Sequence, residues 1–153
     1  MRRQLQTIVM IAGSLWLAAC SEDYGTDQHG RMVSAAQLQD RWLVINYWAE
    51  WCGPCRKEVP ELNTLAASRT DLAVLGVNYD GLQGEELRQA SEQLGIRYSV
   101  LALDPAERLE LPRSDALPST YLIDPQGRVR DQLLGEQTAA GLQARLAQLQ
   151  QEE

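Results

Sequence analysis

Hydrophobic and polar positions follow two rhythms along this chain, and the switches between them outline its elements. Trp42 to Trp48 is a nearly continuous apolar, β-rich run, the pattern of a strand buried on both faces of a sheet. Leu72 to Asn78 repeats it. Between the two, Val59, Leu62 and Leu65, with Ala66, recur at helical spacing and predict a helix opening at Cys52 and running to about Ser68. Pro54 suits its first turn, where a missing N–H costs nothing, and Pro60 is expected to bend it.

Glu85 to Leu94 reads as an amphipathic helix stopped by Gly95. Met32 to Asp40 carries a short strand or a helical turn, with Ser34 as a suitable N-cap. Ser99 to Leu103 suits a short strand. Thr120 to Asp124 and Val129 to Leu134, joined by Pro125-Gln126-Gly127, read as a hairpin, and Thr138 to Gln151 as a closing amphipathic helix. This order implies an α/β fold: a mixed central sheet with helices on both faces.

The amino terminus follows a different pattern. Arg2 and Arg3 precede an interrupted apolar run, Leu5 to Leu17, shorter than the roughly 20 residues needed to span a bilayer. It reads as a secretory signal peptide. Leu17-Ala18-Ala19-Cys20 resembles the lipobox of bacterial lipoproteins, which implies cleavage before Cys20 and a lipid on its sulfur. The expected organisation is a leader over residues 1–19 and a lipidated Cys20 with a polar, flexible tether to residue 30. One domain follows over residues 31–153. The anchor implies a periplasm-facing protein and leaves the choice of inner or outer membrane open.

Charge narrows the partners. The formal net charge is −7, and loss of residues 1–19 leaves 12 Lys and Arg against 21 Asp and Glu, or −9. Such a chain repels phosphate backbones, so nucleic acid is not an expected partner.

The candidate chemistry lies where the first buried strand meets its helix, at Cys52-Gly53-Pro54-Cys55. A helix N-terminus offers free N–H groups and partial positive charge, which stabilise a thiolate, and the thiolate is the form that attacks a disulfide. Cys52 is expected at the exposed edge and Cys55 one turn inside, where it resolves a mixed disulfide. Two other readings compete. A zinc site needs two more ligands, and the remaining Cys and His residues are Cys20 and His29, both in the leader or tether. A purely structural disulfide closing so short a loop would remove little unfolded-chain entropy.

Trp48-Ala49-Glu50-Trp51-Cys52-Gly53-Pro54-Cys55-Arg56-Lys57 after an apolar strand resembles the active site of the thioredoxin superfamily. The likeness extends over residues 32–150 and includes Leu117-Pro118-Ser119-Thr120 before a hairpin strand. By that resemblance Pro118 is a cis proline beside the disulfide, and Leu117 offers backbone groups to an extended substrate strand. Trp51 resembles the superfamily's exposed tryptophan beside the substrate groove, whereas Trp48 belongs to the core. Arg56 and Lys57 are read as solvated helix residues.

Thioredoxins carry a buried Asp six residues before the first cysteine; here that residue is Asn46. Cys52 to Pro60 instead matches the Cys-x-Pro-Cys-x-x-Glu-x-Pro arrangement of the envelope TlpA/ResA-like branch. There the glutamate, here Glu58, is linked to proton transfer. Glu58 lies one helical turn after Cys55, which suits that role; the competing reading is a solvated first-turn Glu favoured by the helix dipole.

The resemblance implies a reductase of disulfide-containing envelope proteins, itself re-reduced by an upstream thiol carrier, with no cofactor because electrons travel through the sulfurs. The branch often serves cytochrome c maturation. Ser119, however, occupies the position where some haem-maturation members carry a Glu, so apocytochrome is not specified as substrate. A disulfide-forming oxidase and a non-enzymatic binding lipoprotein are the alternatives.

Overall fold

The computed structural model describes residues 23–152; the leader and the lipidation call at Cys20 lie outside them. In chain order the elements are α1 (Ala35–Leu38), β1 (Trp42–Trp48), α2 (Gly53–Ser68), β2 (Leu72–Asn78) and α3 (Gly84–Gln93). After them come β3 (Ser99–Leu101), β4 (Ser119–Ile123), β5 (Val129–Leu134) and α4 (Ala139–Gln151). The five strands form one sheet in the order β3-β2-β1-β4-β5.

The two strands with continuous apolar sequence occupy the middle of that sheet. β2 pairs parallel with β1 over its whole length, and β4 pairs antiparallel with β1 on the other side. Because side chains alternate across a strand, β1 feeds both faces. Trp42, Val44 and Trp48 join a cluster with Val59, Leu62 and Leu65 of α2, Leu87 of α3 and Leu142 and Leu146 of α4. Leu43 and Ile45 face the other way, onto Val33, Leu38 of α1, Leu75, Leu109 and Tyr121. The sheet is mixed and covered on both faces, by three long helices on one side and by α1 with loop segments on the other.

α1 is held by a capping box. Ser34 Oγ accepts from the Gln37 backbone N–H, and Gln37 Oε1 accepts from the Ser34 backbone N–H. Such a cap is worth about 1 kcal/mol, enough to settle so short a helix. Residues 42–48 and 72–78 begin and end as the sequence pattern predicts. The third strand stops at Leu101, and the helix before it runs from Gly84 to Gln93.

The expected flexible tether to residue 30 is corrected. Thr26 pairs with Met32 and Asp27 with Leu101, adding a short antiparallel hook beside β3. Gln28 is buried: its amide donates to the Tyr98 carbonyl (3.0 Å) and accepts from the Val100 N–H (2.7 Å). The polar side chain thus takes the place of a strand neighbour for an edge that would otherwise be unpaired. Tyr24 packs against the second cluster, with the Arg108 guanidinium 4.1 Å from its ring centre. Among the described residues, packing therefore extends back at least to Tyr24.

Candidate active site

β1 delivers the chain to the site. After Trp48 three residues turn it into α2, and Cys52 is the N-cap of that helix. The Cys52 sulfur accepts the Cys55 backbone N–H at 3.2 Å, so the sulfur itself occupies the capping position where a helix favours negative charge. Pro54 sits in the first turn, as expected, and α2 continues through Pro60. Cys52 and Cys55 form a disulfide with their Cα atoms 5.3 Å apart.

Cys52 keeps 4% of its surface exposed and Cys55 none. The expected order of exposure holds, but Cys52 is recessed instead of lying on an open edge; the exposed rim is Trp51, Gly53 and Pro54. Trp51 is 66% exposed, packs edge-on to Tyr79 (ring centres 6.3 Å apart) and donates its indole N–H to Asp80 Oδ2 at 2.9 Å. Tyr79 and Asp80 follow β2 and carry no motif, so their part in presenting Trp51 emerges only from the fold.

The Leu117–Pro118 peptide bond is cis. Pro118 is buried, its carbonyl accepts from the Gly135 N–H at 2.9 Å, and Leu117 packs on the same cluster as the two cysteines. Ser119 follows at the start of β4, opposite Tyr47 of β1. β1 and β4 therefore bring Pro118 to the end of the sheet from which Cys52 departs.

Glu58 is fully buried, which argues against the competing reading of a solvated first-turn residue. Asn46 Nδ2 donates to its Oε1 at 2.7 Å and the Gln137 backbone N–H to its Oε2 at 3.1 Å. The same Asn46 nitrogen donates to Thr120 Oγ1 at 3.1 Å. Burial pushes the Glu58 carboxyl up to about 7, against the lowering effect of those two donors and with a smaller upward push from Glu136. Its proton is thus exchangeable near neutral pH, the range in which a general acid or base works best. Thr120 is opposite Asn46 in the β1–β4 register, and Gln137 precedes α4. Sequence reasoning gave neither a part in the site; pairing of the two strands would have found Thr120, while Gln137 contributes only backbone.

Among the described residues no group of three or more His, Cys, Asp or Glu side chains is arranged to hold a metal ion. No helix among them is long and apolar enough to cross a membrane.

Residues 19–132 match the model of the AhpC/TSA family. The thiol–disulfide oxidoreductase ResA of Bacillus thuringiensis (strain Al Hakam) is 30% identical over 129 residues, spanning 81% of this chain and 72% of that protein. A thiol:disulfide interchange protein DsbE homolog of Paracoccus denitrificans is 39% identical over 100 residues, 61% of this chain and 54% of that one. Among solved structures, a DsbF homologue from Corynebacterium diphtheriae superposes with a TM-score of 0.69 at 26% identity, over 81% of this chain and 82% of its own. StoA from Bacillus subtilis shares the fold at a TM-score of 0.64 and 17% identity, over 78% and 92% of the respective chains.

Proposed function

This chain belongs to the AhpC/TSA family, and we propose that within it the chain reduces disulfides of periplasmic proteins from a lipid anchor at Cys20. Thiol–disulfide exchange is its chemistry, as in the oxidoreductases it resembles. The observation that carries the reading is the Cys52–Cys55 pair at the capped start of α2, with Cys52 the less buried of the two and Cys55 sealed.

In the reduced protein the Cys52 thiolate attacks one sulfur of a client disulfide and displaces the other as a thiolate. The Cys55 thiol then gives up its proton and attacks the Cys52 sulfur. The client's second thiol leaves and the Cys52–Cys55 disulfide remains. Glu58, one turn along α2, is the group we assign to take up the Cys55 proton and return it when an upstream thiol carrier reduces the pair. Trp51, Leu117 and Pro118 border the groove in which the client strand docks. Gly-Pro between the cysteines, the thioredoxin dipeptide, favours the reducing direction. Cytochrome c maturation is one setting the branch serves, and Ser119 beside Pro118 keeps the client class broader than apocytochrome.

Three residue steps separate Cys20 from Asp23, whose carboxylate accepts from the Ala35 N–H at 3.0 Å. A fully extended chain covers about 11 Å in three steps. A lipid on Cys20 therefore holds the domain at the membrane surface instead of on a long leash.

Insulin reduction by the purified protein is expected to vanish in Cys52→Ser; unchanged turnover rejects the catalytic assignment and leaves a binding protein. A reduction potential near thioredoxin's, about −270 mV, supports a reductase, whereas one near −120 mV makes the protein an oxidase. Mass spectrometry of the mature amino terminus is expected to find acylated Cys20, and Cys20→Ala to move the protein from membrane to soluble fraction.

A further inference from the structure

Behind Glu58 lies a polar site that the exchange reaction does not use directly. Five buried side-chain atoms among the described residues have no hydrogen-bond partner, and three of them belong together: Asn46 Oδ1, Trp48 Nε1 and the Tyr98 hydroxyl. All three residues lie within the core on the helix-covered face of the sheet: Asn46 and Trp48 are fully buried and Tyr98 is 5% exposed.

Gly76 shows how close they are. It is the β2 partner of Asn46. A Cβ built on it would lie 3.1 Å from Trp48 Nε1 and 3.1 Å from Tyr98 Cε2. The indole nitrogen and the phenol ring thus flank one point, at most about 6 Å apart, on the strand position beside Asn46. With Val100 Cγ2 at 3.0 Å as a third neighbour, glycine is what lets the indole nitrogen and the phenol ring close in on that point.

The polarity of the three groups is complementary to a single water molecule. Glu58 and Thr120 both accept from Asn46 Nδ2, so the amide must turn its oxygen to the other side. Trp48 can only donate. Burial and the neighbouring Glu58 charge both push the Tyr98 phenol far above its ordinary range, so it stays protonated and can donate as well. A water accepts from Trp48 and Tyr98, donates to Asn46 and retains one proton; buried waters ordinarily make about three such bonds. Left without partners, each of these buried groups would forfeit the hydrogen bonds it makes to water in the unfolded chain.

We propose that Asn46 Oδ1, Trp48 Nε1 and the Tyr98 hydroxyl bind a buried water on the far side of the Asn46 amide from Glu58, and that Tyr98 acts through it as a positioning residue for the proton that Glu58 exchanges. The water polarises the Asn46 amide that donates to the carboxylate and so favours its charged form. The other groups facing Glu58 are Cys55 on its own helix, Gln137 and Glu136 ahead of α4, and Thr120 of β4 through Asn46; of these, only Cys55 and Glu136 are titratable. This inference rests on the proton-transfer reading of Glu58.

The test uses the whole ¹⁵N-labelled chain. Direct cross-relaxation between water and the Trp48 indole proton is expected in the parent and lost in Gly76→Ala, whose methyl group presses on the indole nitrogen and the phenol ring and forces them off the site. In Tyr98→Phe, which keeps the ring, the pH profile of Cys52 and Cys55 alkylation in the reduced protein is expected to move to higher pH. The shift corresponds to about three- to tenfold tighter proton binding at Glu58, up to one pH unit. No water signal at Trp48 in the folded parent overturns the site. A water signal with coincident parent and Tyr98→Phe profiles overturns the role of Tyr98. Glu58→Gln separates the two readings: if its profile matches the parent's, the Glu58 assignment fails whatever the water signal shows.

Discussion

Asp124, after β4, and Glu58, in α2, are both carboxylates with almost no exposed surface, yet they are held in opposite states. Burial alone would raise the proton affinity of both. At Asp124 that effect is outweighed: the Arg128 and Gln126 N–H groups donate to Oδ1, and the Arg128 and Arg130 guanidiniums reach Oδ2. Its carboxyl therefore lies below the ordinary range and stays ionised. Glu58 has two neutral donors and no cation, and is pushed up to about 7. Asp27 repeats the Asp124 arrangement with His29, Arg31 and a hook at the opposite edge of the sheet. Arginine and backbone N–H groups make a buried carboxylate a fixed structural charge; their scarcity makes one a proton exchanger.

The hardest way to break that contrast is to give Glu58 a like charge. Asn46→Asp replaces its closest donor with a second carboxylate 2.7 Å away at the old contact. The protein is expected to lose about 4 kcal/mol at pH 8, where both groups must ionise without a cation, and much less at pH 5, where one proton can be shared. Urea unfolding at the two pH values measures it; equal losses would mean that the pair is not coupled.

Glu58→Gln is next. The folded carboxyl titrates at about 7 against an ordinary 4.5. Between those values the unfolded chain has released a proton that the folded chain retains, so parent stability is full below about pH 4.5 and falls as pH rises towards 7. The loss amounts to about 3 kcal/mol across that window. The stability difference between Gln variant and parent is expected to change by that amount from pH 4.5 to 7 and to stay flat above. A flat difference throughout would place the Glu58 titration elsewhere.

The distinction between the two carboxylates is only half written in the sequence. The strands were legible because β1 and β2 are buried on both faces and read as unbroken apolar runs; Cys52 and Cys55 announce themselves by spacing, and Pro118 only through the resemblance to the thioredoxin superfamily. Glu58 was legible through the resemblance to the TlpA/ResA-like branch, with its distance from Cys55 in support, but its burial was not, since a charged residue in a first helical turn is ordinarily solvated. What seals it comes from Asn46 on β1 and the backbone of Gln137, some 79 positions away in the chain, and a backbone donor leaves no residue signature. The hook over residues 24–33 was hidden for the same reason. Asp27 and Gln28 look like solvent-facing tether until Tyr98 and Val100 supply the backbone groups that Gln28 satisfies.

Asp124→Ala tests the fixed-charge side. It strips the acceptor from two backbone N–H groups in the β4–β5 turn and from two arginines, and is expected to cost about 2 kcal/mol at neutral pH. Because the folded carboxyl lies below its ordinary 3.8, that contribution is present above about pH 4 and lost as pH falls through the folded value. Parent and variant are thus expected to converge in acid, where Glu58 variants show their parent at its strongest. Failure to converge would mean that the turn needs Asp124 for shape and not for charge.

The smallest effect is expected at Glu85, and it shows why a shifted proton affinity is not by itself a measure of stability. Hydrogen bonds from Arg88 and then Gln89 bring the Glu85 carboxyl down to about 2, a large displacement. Yet Glu85 and Arg88 are on the solvated side of α3, where water solvates either partner nearly as well alone. Arg88→Ala is therefore expected to leave the melting temperature almost unchanged, with any residual loss erased in about 1 M salt, where charges are screened within about 3 Å. Asp124→Ala under the same salt is expected to keep most of its cost, because its carboxylate is out of reach of the ions. A salt-resistant loss in Arg88→Ala as large as that of Asp124→Ala would show that contact with arginine, not burial, fixes a carboxylate in this fold, and would remove the basis on which Glu58 is set apart.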